Sequence, residues 1–347
     1  MANIKDVARA AGVSVATVSR VFNDSSVVRE ATRDRVRSVA ARLNFWPNGV
    51  ARSLITSRAH AIGVLLPDLF GEFFSEVIRG IDSGARKKGL HLLLSSSHSD
   101  TQELIAALRT MRGRIDGVIV MAPDVDAPGA ILASGVDFPV VLIDPGLGTQ
   151  GCDTISIANF DGARAMVRHL QSLGHTRIAT ITGPPSNIDA RQRLEGYRSA
   201  MRSKRGAWKE ELEIPGDFSE PSGYAAAERL LALEPRPTAV FAANDYMAIG
   251  VMGALSDAGL RVPQDIAVTG FDDIAMSRYL NPPLTTVHVD SYRLGERAVQ
   301  HLLRGHGRRT GDEALREVLP TTLVVRGSCG SLGAERARGG VVPSRRR

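Results

Sequence analysis

The sequence predicts an α/β protein in which a small helical head precedes a larger body of parallel sheets arranged in two lobes. Three observations predict it. The first sixty residues are strongly basic and hold two short helix-period segments separated by a turn that contains glycine. From Ala61 onward, continuous apolar strand-like runs alternate with amphipathic helical runs, as in parallel sheets covered on both faces. That alternation passes through two successive series, which implies two lobes.

At 347 residues, 43% hydrophobic and 23% charged, the chain is long enough for two or three domains, and global disorder is excluded. Its two cysteines, Cys152 and Cys329, make neither a metal cluster nor a disulfide framework, so a cytoplasmic, nucleoid-associated setting is expected. The opening MANIKDVARAAG lacks the apolar stretch of a signal peptide. No later run reaches the roughly 18 apolar residues of a membrane span, so neither export nor a membrane partner is expected. The net charge of +6 is polarised. Residues 1–60 hold ten Lys/Arg against four acids, and the tail from Arg326 holds six basic residues against Glu335, so the long middle is acidic. A basic head on an acidic body reads as a polyanion-binding module joined to a domain with another task.

In the head, Ile4, Val7, Ala8 and Ala11 follow helical spacing up to Gly12, which suits a left-handed helix end. Ser14 is a good N-cap for a second helix carrying Val18, Val21 and Phe22. The two make a helix-turn-helix whose second helix would enter the major groove, its early residues facing base edges. The competing reading, a helical hairpin in an ordinary bundle, does not account for the surrounding arginines. A third helix, about Glu30 to Leu43, turns Val36, Val39, Ala40 and Leu43 inward, and NFWPN ends it because Pro47 disfavours helix in the residue before it.

In the body, helices are expected at about 73–88, 100–112, 126–134, 160–173, 189–203, 222–233 and 245–258. Strands fall between them, as in AIGVLLP, DGVIVMA, RIATIT and TAVFAAN. Ligand sites in such folds lie at the carboxyl ends of strands. There a ligand in the cleft would meet Asp68, Asp144, Asn244, Asp245 and Asp272. For any one of these the alternative is a strand-end cap or an interlobe ion pair.

The string VARAAGVSVATVSRVFN, followed by NFWPNGVARSL and IGVLLPD, closely resembles the DNA-binding head and hinge of the lactose- and galactose-repressor (LacI/GalR) family of transcription regulators. Family-like segments continue to about residue 326, among them LGHTRIATITG, RQRLEGYRSAM, FAANDYMAIG, VPQDIAVTGFDD and NPPLTTVHVD. The resemblance implies a helix-turn-helix domain over 1–47 and a hinge helix with linker over 48–60. It implies a periplasmic-binding-protein-like (type I) body over 61–326. Its N-lobe would take about 61–158 and 291–320, and its C-lobe about 159–288 and 321–326. Residues 327–347 are expected to form a disordered basic tail.

By the same resemblance, Val15, Ala16 and Arg20 match base-reading positions, whereas Ser14, Thr17 and Asn23 match phosphate contacts. Arg20 could grip guanine O6 and N7 with two hydrogen bonds; Val15 and Ala16 offer apolar contact to thymine methyls. In the hinge, Leu54 matches a leucine wedged into the minor groove by each subunit, and Arg52 is counted with the DNA-facing residues. A helix this short is unstable alone, so its dependence on DNA and a second chain is physically sensible.

In the cleft the resemblance makes Arg193, Asn244 and Asp272 polar anchors, with Phe218 packing on the ligand. Asp144 and Phe73 or Phe74 face them from the N-lobe. Carboxylates, an amide, an arginine and an aromatic wall suit a polyhydroxylated guest such as a sugar. Val289 stands where several family members carry a glutamine. The implied partners are double-stranded operator DNA, a small-molecule effector and a second copy, as homodimer or dimer of dimers, with no cofactor.

Residues 146–151 spell a literal GxGxxG, but DTISI after them reads as a strand, whereas the dinucleotide fingerprint needs a helix opening there. HExxH, GxSxG and P-loop patterns are missing, so catalysis is not indicated. The alternative from another class is a sugar-binding protein or sugar-processing enzyme with the basic head as an adaptor.

Overall fold

The computed structural model describes residues 2–22, 27–45, 58–69, 71–145, 151–203, 208–305 and 313–330. In the head, helices α1 (Ile4–Ala11), α2 (Val15–Phe22) and α3 (Glu30–Arg42) enclose a core of Val7, Ala8, Ala11, Val18, Val21, Val36, Val39 and Ala40. Burying each valine contributes roughly 1.5–3 kcal/mol, enough for a domain of this size to hold three short helices. Asn3 and Asp6 form a reciprocal capping box at the start of α1, and Gly12 ends it at φ 62°. Ser14 caps α2 by accepting the Thr17 N–H at 3.1 Å.

The body begins with β1 (Ala61–Leu66), α4 (Glu72–Arg86), β2 (His91–Ser96), α5 (Thr101–Met111), β3 (Gly117–Met121), α6 (Ala127–Ser134), β4 (Val140–Ile143) and β5 (Asp153–Ile157). It continues with α7 (Asn159–Ser172), β6 (Ile178–Thr182), α8 (Ile188–Arg202), β7 (Glu213–Pro215), α9 (Glu220–Leu231), β8 (Ala239–Ala242), α10 (Asp245–Asp257) and β9 (Ala267–Thr269). The last elements are β10 (Thr286–His288), α11 (Ser291–Gly305), β11 (Arg316–Leu319) and β12 (Thr322–Val324).

One sheet has the order β11-β5-β4-β3-β1-β2, and a second has the order β7-β6-β8-β9. The ladders β1–β3, β3–β4, β4–β5, β5–β11, β6–β7, β6–β8 and β8–β9 are all parallel. The continuous burial of β1 and β3 fits strands covered on both faces. An antiparallel pair, β10 with β12, accompanies the passages of the chain between the lobes. In the N-lobe, α4 packs on α11 so closely that a β-carbon on Gly80 would lie 1.9 Å from Tyr292 O. Among the described residues no helix is long and apolar enough to cross a membrane.

The end of the body differs from the sequence reading, which closes it at 326 and assigns 327 onward to a disordered tail. Ser328 and Cys329 are buried. Ser328 Oγ donates to Val268 O at 2.6 Å and accepts the Thr285 N–H at 2.8 Å, so residues 327–330 are stitched onto the second lobe. Their Gly/Ser/Cys composition gave no apolar signal from which to expect this. Of the GxGxxG string, residues 146–150 lie outside the described residues, and Asp153–Ile157 is the strand expected.

Candidate functional site

On the head, Val15, Ala16 and Arg20 are exposed on α2, with Ser14 exposed beside them and Thr17 half-buried. Val15 is 40% accessible although the rest of its helix turns Val18 and Val21 inward. An exposed first turn followed by an arginine one turn later is the surface a recognition helix presents to base edges. Asn23, Arg52 and Leu54 lie outside the described residues.

In the body, a cavity of about 540 Å³ opens at the carboxyl ends of the strands of both sheets. From the N-lobe its wall takes Asp68 after β1, Phe73 and Phe74 on α4, His98 and Ser99 after β2, and Asp124 after β3. From the C-lobe come Asn187 and Asp189, Arg193 on α8, Asp217 and Phe218 after β7, Asn244 after β8, Tyr246, and Asp272 after β9. Phe73, Phe74, Arg193, Phe218, Asn244 and Asp272 are thus brought together.

Arg193 is held rigidly. Its Nε donates to Asn159 Oδ1 at 2.8 Å and its Nη1 to Ala243 O at 2.6 Å, while Asp272 Oδ1 lies 3.1 Å from Nη1. The guanidinium carbon sits 3.9 Å from the Phe271 ring centroid and 5.9 Å from that of Phe218. These contacts occupy Nε and Nη1. Asn159 also donates to Asp189 Oδ1 at 3.0 Å, which joins the second cavity carboxylate to the same chain of contacts.

Asn244 serves the wall through its neighbours. Its Oδ1 caps α10 by accepting the Met247 N–H at 3.0 Å, and its Nδ2 donates to Phe218 O at 2.8 Å. Phe218 has φ 73°, Asp272 106° and Asp144 45°, values that side chains with a β-carbon rarely adopt. Backbone strain of this kind, about 1–3 kcal/mol at each position, persists only where the surroundings over-determine it, and it clusters at functional sites. At Gly183, a β-carbon would stand 2.4 Å from the Phe218 ring, so the glycine makes the room that ring needs.

Two residues expected at the cleft do not reach its wall. Asp144 is buried, accepts the Ile157 N–H on Oδ1 at 2.8 Å and ties the end of β4 to β5, so it is a strand-end cap. Asp245 is also buried. It accepts from Ile274 N at 3.0 Å, Ser277 Oγ at 2.5 Å and Thr286 Oγ1 at 2.6 Å, anchoring the C-lobe loops. Val289 is packed in the core. The sequence reading missed His98, Ser99, Asp124, Asn187, Asp189, Asp217, Glu220 and Tyr246 on the wall. An Asn-x-Asp just after a strand end, NID at 187–189, was the one available signal.

Burial shapes the electrostatics. It pushes the Asp189 carboxyl up to about 6 against the pull of Arg193, and it raises Asp272 to about 6 in the same way. Burial, with Asp272 nearby, takes Asp245 to about 7. Asp144 is also pushed well above the ordinary carboxylate range by burial, with Asp189 adding to it. The wall carries Asp68, Asp124, Asp189, Asp217, Asp272 and Glu220 against Arg193 and His98, whose imidazole is raised above its ordinary range by its hydrogen bond with Glu103. Such a wall accepts hydrogen bonds from hydroxyls and repels anions.

A family model described as bacterial regulatory proteins, lacI family, matches residues 3–48, and one for a periplasmic binding protein-like domain matches residues 167–329. The ribose operon repressor of Escherichia coli (strain K12) is 40% identical over 305 residues, which are 87% of this chain and 92% of that protein. A crystal structure of the Lac repressor dimer bound to operator and the anti-inducer ONPF is 35% identical, with a TM-score of 0.84 over 94% of this chain and 99% of that one. A LacI family transcriptional regulator from Enterococcus faecium with bound ribose is 30% identical, with a TM-score of 0.68 over 77% of this chain and 98% of that one.

Proposed function

This chain belongs to the lacI family of bacterial regulatory proteins, and from that premise we propose that it represses transcription from a pseudo-palindromic operator under the control of a sugar. It is a DNA-binding transcriptional regulator. The observation that carries the effector reading is the cavity, in which Arg193 and Asp189 on α8 meet Asp272 and the ring of Phe218, both held on a strained backbone. Its volume suits a small polar metabolite, and its acidic wall favours an uncharged polyol over a sugar phosphate. The ribose in the name of one relative and in the structure of another makes a pentose the first candidate.

Two copies act together, because two recognition helices read two half-sites and a pair of Leu54 side chains kinks the centre. Exposed apolar side chains suit a second copy on both lobes: Leu93 and Leu94 on the edge strand β2, and Met276 and Tyr279 after β9. Effector binding favours one lobe arrangement and so changes how the paired hinges meet DNA. Coupling is reciprocal: operator changes effector affinity by the same factor. The relatives are repressors rather than enzymes, and the same is proposed of this chain.

The test is selection of operators from random duplex by the full chain, followed by titration of the selected duplex with and without D-ribose and a panel of other sugars. A dyad-symmetric consensus whose affinity shifts with one sugar is expected. Indifference to sequence would overturn the regulator reading, whereas sequence preference with no response to any sugar or nucleoside would overturn the effector reading alone.

A further inference from the structure

Helices α4 and α8 begin at the cavity, and each draws a cap for its first N–H from the opposite lobe. The first N–H groups of a helix have no partner within it, and a side chain at the N-cap usually supplies one. The N-cap of α4 is Gly71, which has no side chain to offer. The Glu72 N–H donates instead to the hydroxyl of Tyr246 at 2.9 Å, from the start of α10 in the C-lobe. The Glu72 carboxylate in turn accepts the N–H of Ala275, first residue of the 3-10 turn Ala275–Arg278, whose own N-cap Ile274 makes no side-chain cap. Across the cavity, the Ile188 N–H that opens α8 donates to Pro123 O of the N-lobe at 3.0 Å.

Gly71 explains how the chain reaches Tyr246. Its φ of 96° with ψ 153° belongs to a region essentially reserved for glycine, and a β-carbon there would sit 3.5 Å from Tyr246 Cε2. The backbone therefore runs against the tyrosine ring and delivers the next N–H to its hydroxyl.

We propose that the lobes exchange helix caps, with Glu72 and Tyr246 as positioning residues that order the cavity wall only while the lobes are together. Separation of the lobes uncaps α4, whose first turn carries Phe73 and Phe74, and takes the partner of the Ile188 N–H from α8, whose next two N–H groups stay capped by Asn187 Oδ1 within the C-lobe. It also frees the Ala275 N–H that opens the 3-10 turn, which keeps its ties to Asp245 within the C-lobe, presents Met276 at 53% exposure and leads to Tyr279 at 75%. Closure of the cleft, order in its wall and the set of an exposed apolar surface thus form one event. The strap consists of the chain's own atoms, so it goes beyond the effector reading and does not depend on what the cavity takes.

Hydrogen exchange on the full chain, with no added ligand, tests it. Tyr246→Phe removes only the hydroxyl. It should speed exchange about fivefold, the scale of a lost cap, in peptides covering 72–75 and also in those covering 274–278, with α11 unchanged. Glu72→Ala should reproduce that pattern, while Glu72→Gln, which keeps an acceptor oxygen, should leave 274–278 protected. The proposal is overturned if Tyr246→Phe affects only the α4 peptides or none, or if Glu72→Gln loosens 274–278 as much as Glu72→Ala. Sugar titration of the same variants reports separately on the effector reading.

Discussion

Arg193 and Asp272 form a nearly buried ion pair on the cavity wall, Nη1 to Oδ1 at 3.1 Å, with side-chain exposures of 5% and 10%. The pair is off balance. Asp189 shares the guanidinium through Asn159, so one cation serves two cavity carboxylates.

Arg193→Met keeps much of the side-chain volume but strands both carboxylates in a low-dielectric site. Breaking a buried pair from one side typically costs about 3–5 kcal/mol. Urea unfolding should show a loss of that order, and the double variant Arg193→Met/Asp272→Asn should recover part of it. Equal midpoints for the single and double variants would show that the charge imbalance is not the cause.

The same carboxyls set a pH dependence. Asp189 and Asp272, pushed up to about 6, and Asp245, pushed up to about 7, bind protons in the folded chain at pH values where the unfolded chain has released them. Their contribution favours folding at low pH and is lost as pH rises through 6 to 7. The melting temperature should therefore climb as pH falls from about 7 to about 4.5. At lower pH the trend should reverse, as Glu211 and Asp265, held low by hydrogen bonds from Arg177 and Arg261, take up protons. A curve that falls steadily from pH 8 downward would contradict this assignment.

Gly80→Ala tests the packing of α4 on α11. The added carbon would meet Tyr292 O at 1.9 Å, a backbone atom that cannot step aside as a side-chain tip can. Overpacking of a tight core usually costs about 1–3 kcal/mol, and the upper end is expected here. A lowered urea midpoint with an unchanged slope is the expected outcome.

Arg20→Ala concerns sequence reading by the head. If Arg20 grips a guanine, the variant should lose about 1–3 kcal/mol of discrimination at one base pair in each half-site. Binding to duplexes substituted at each position distinguishes this from uniform weakening on all sequences, which would make Arg20 a phosphate contact.

The head was legible because its signals are local: Gly12 ends one helix, Ser14 starts the next, and the buried valines repeat at helical steps. The longer strands of the body were legible as continuous apolar runs. The short strands β7, β10, β11 and β12 were not, since they lack the apolar run that marks the equally short β8 and their pairing is set by tertiary contacts. At the cavity, position along a strand indicated which residues lie at its end but not which way they point. Asn244 and Asp245 are adjacent, yet the first lies on the wall and the second is sealed in the lobe, because successive side chains leave the backbone in different directions. Tyr246 was invisible for another reason: its partner Glu72 lies 174 positions away.

Because β11 (Arg316–Leu319) completes the sheet that begins with Ala61, the first lobe lacks its last edge until almost the whole body has left the ribosome. A nascent chain halted after β10 would present β5 as an unpaired border, the kind of surface that recruits stray strands. The shape of the sheet thus dictates an order of manufacture: the head can mature early, but the two halves of the body must be finished together.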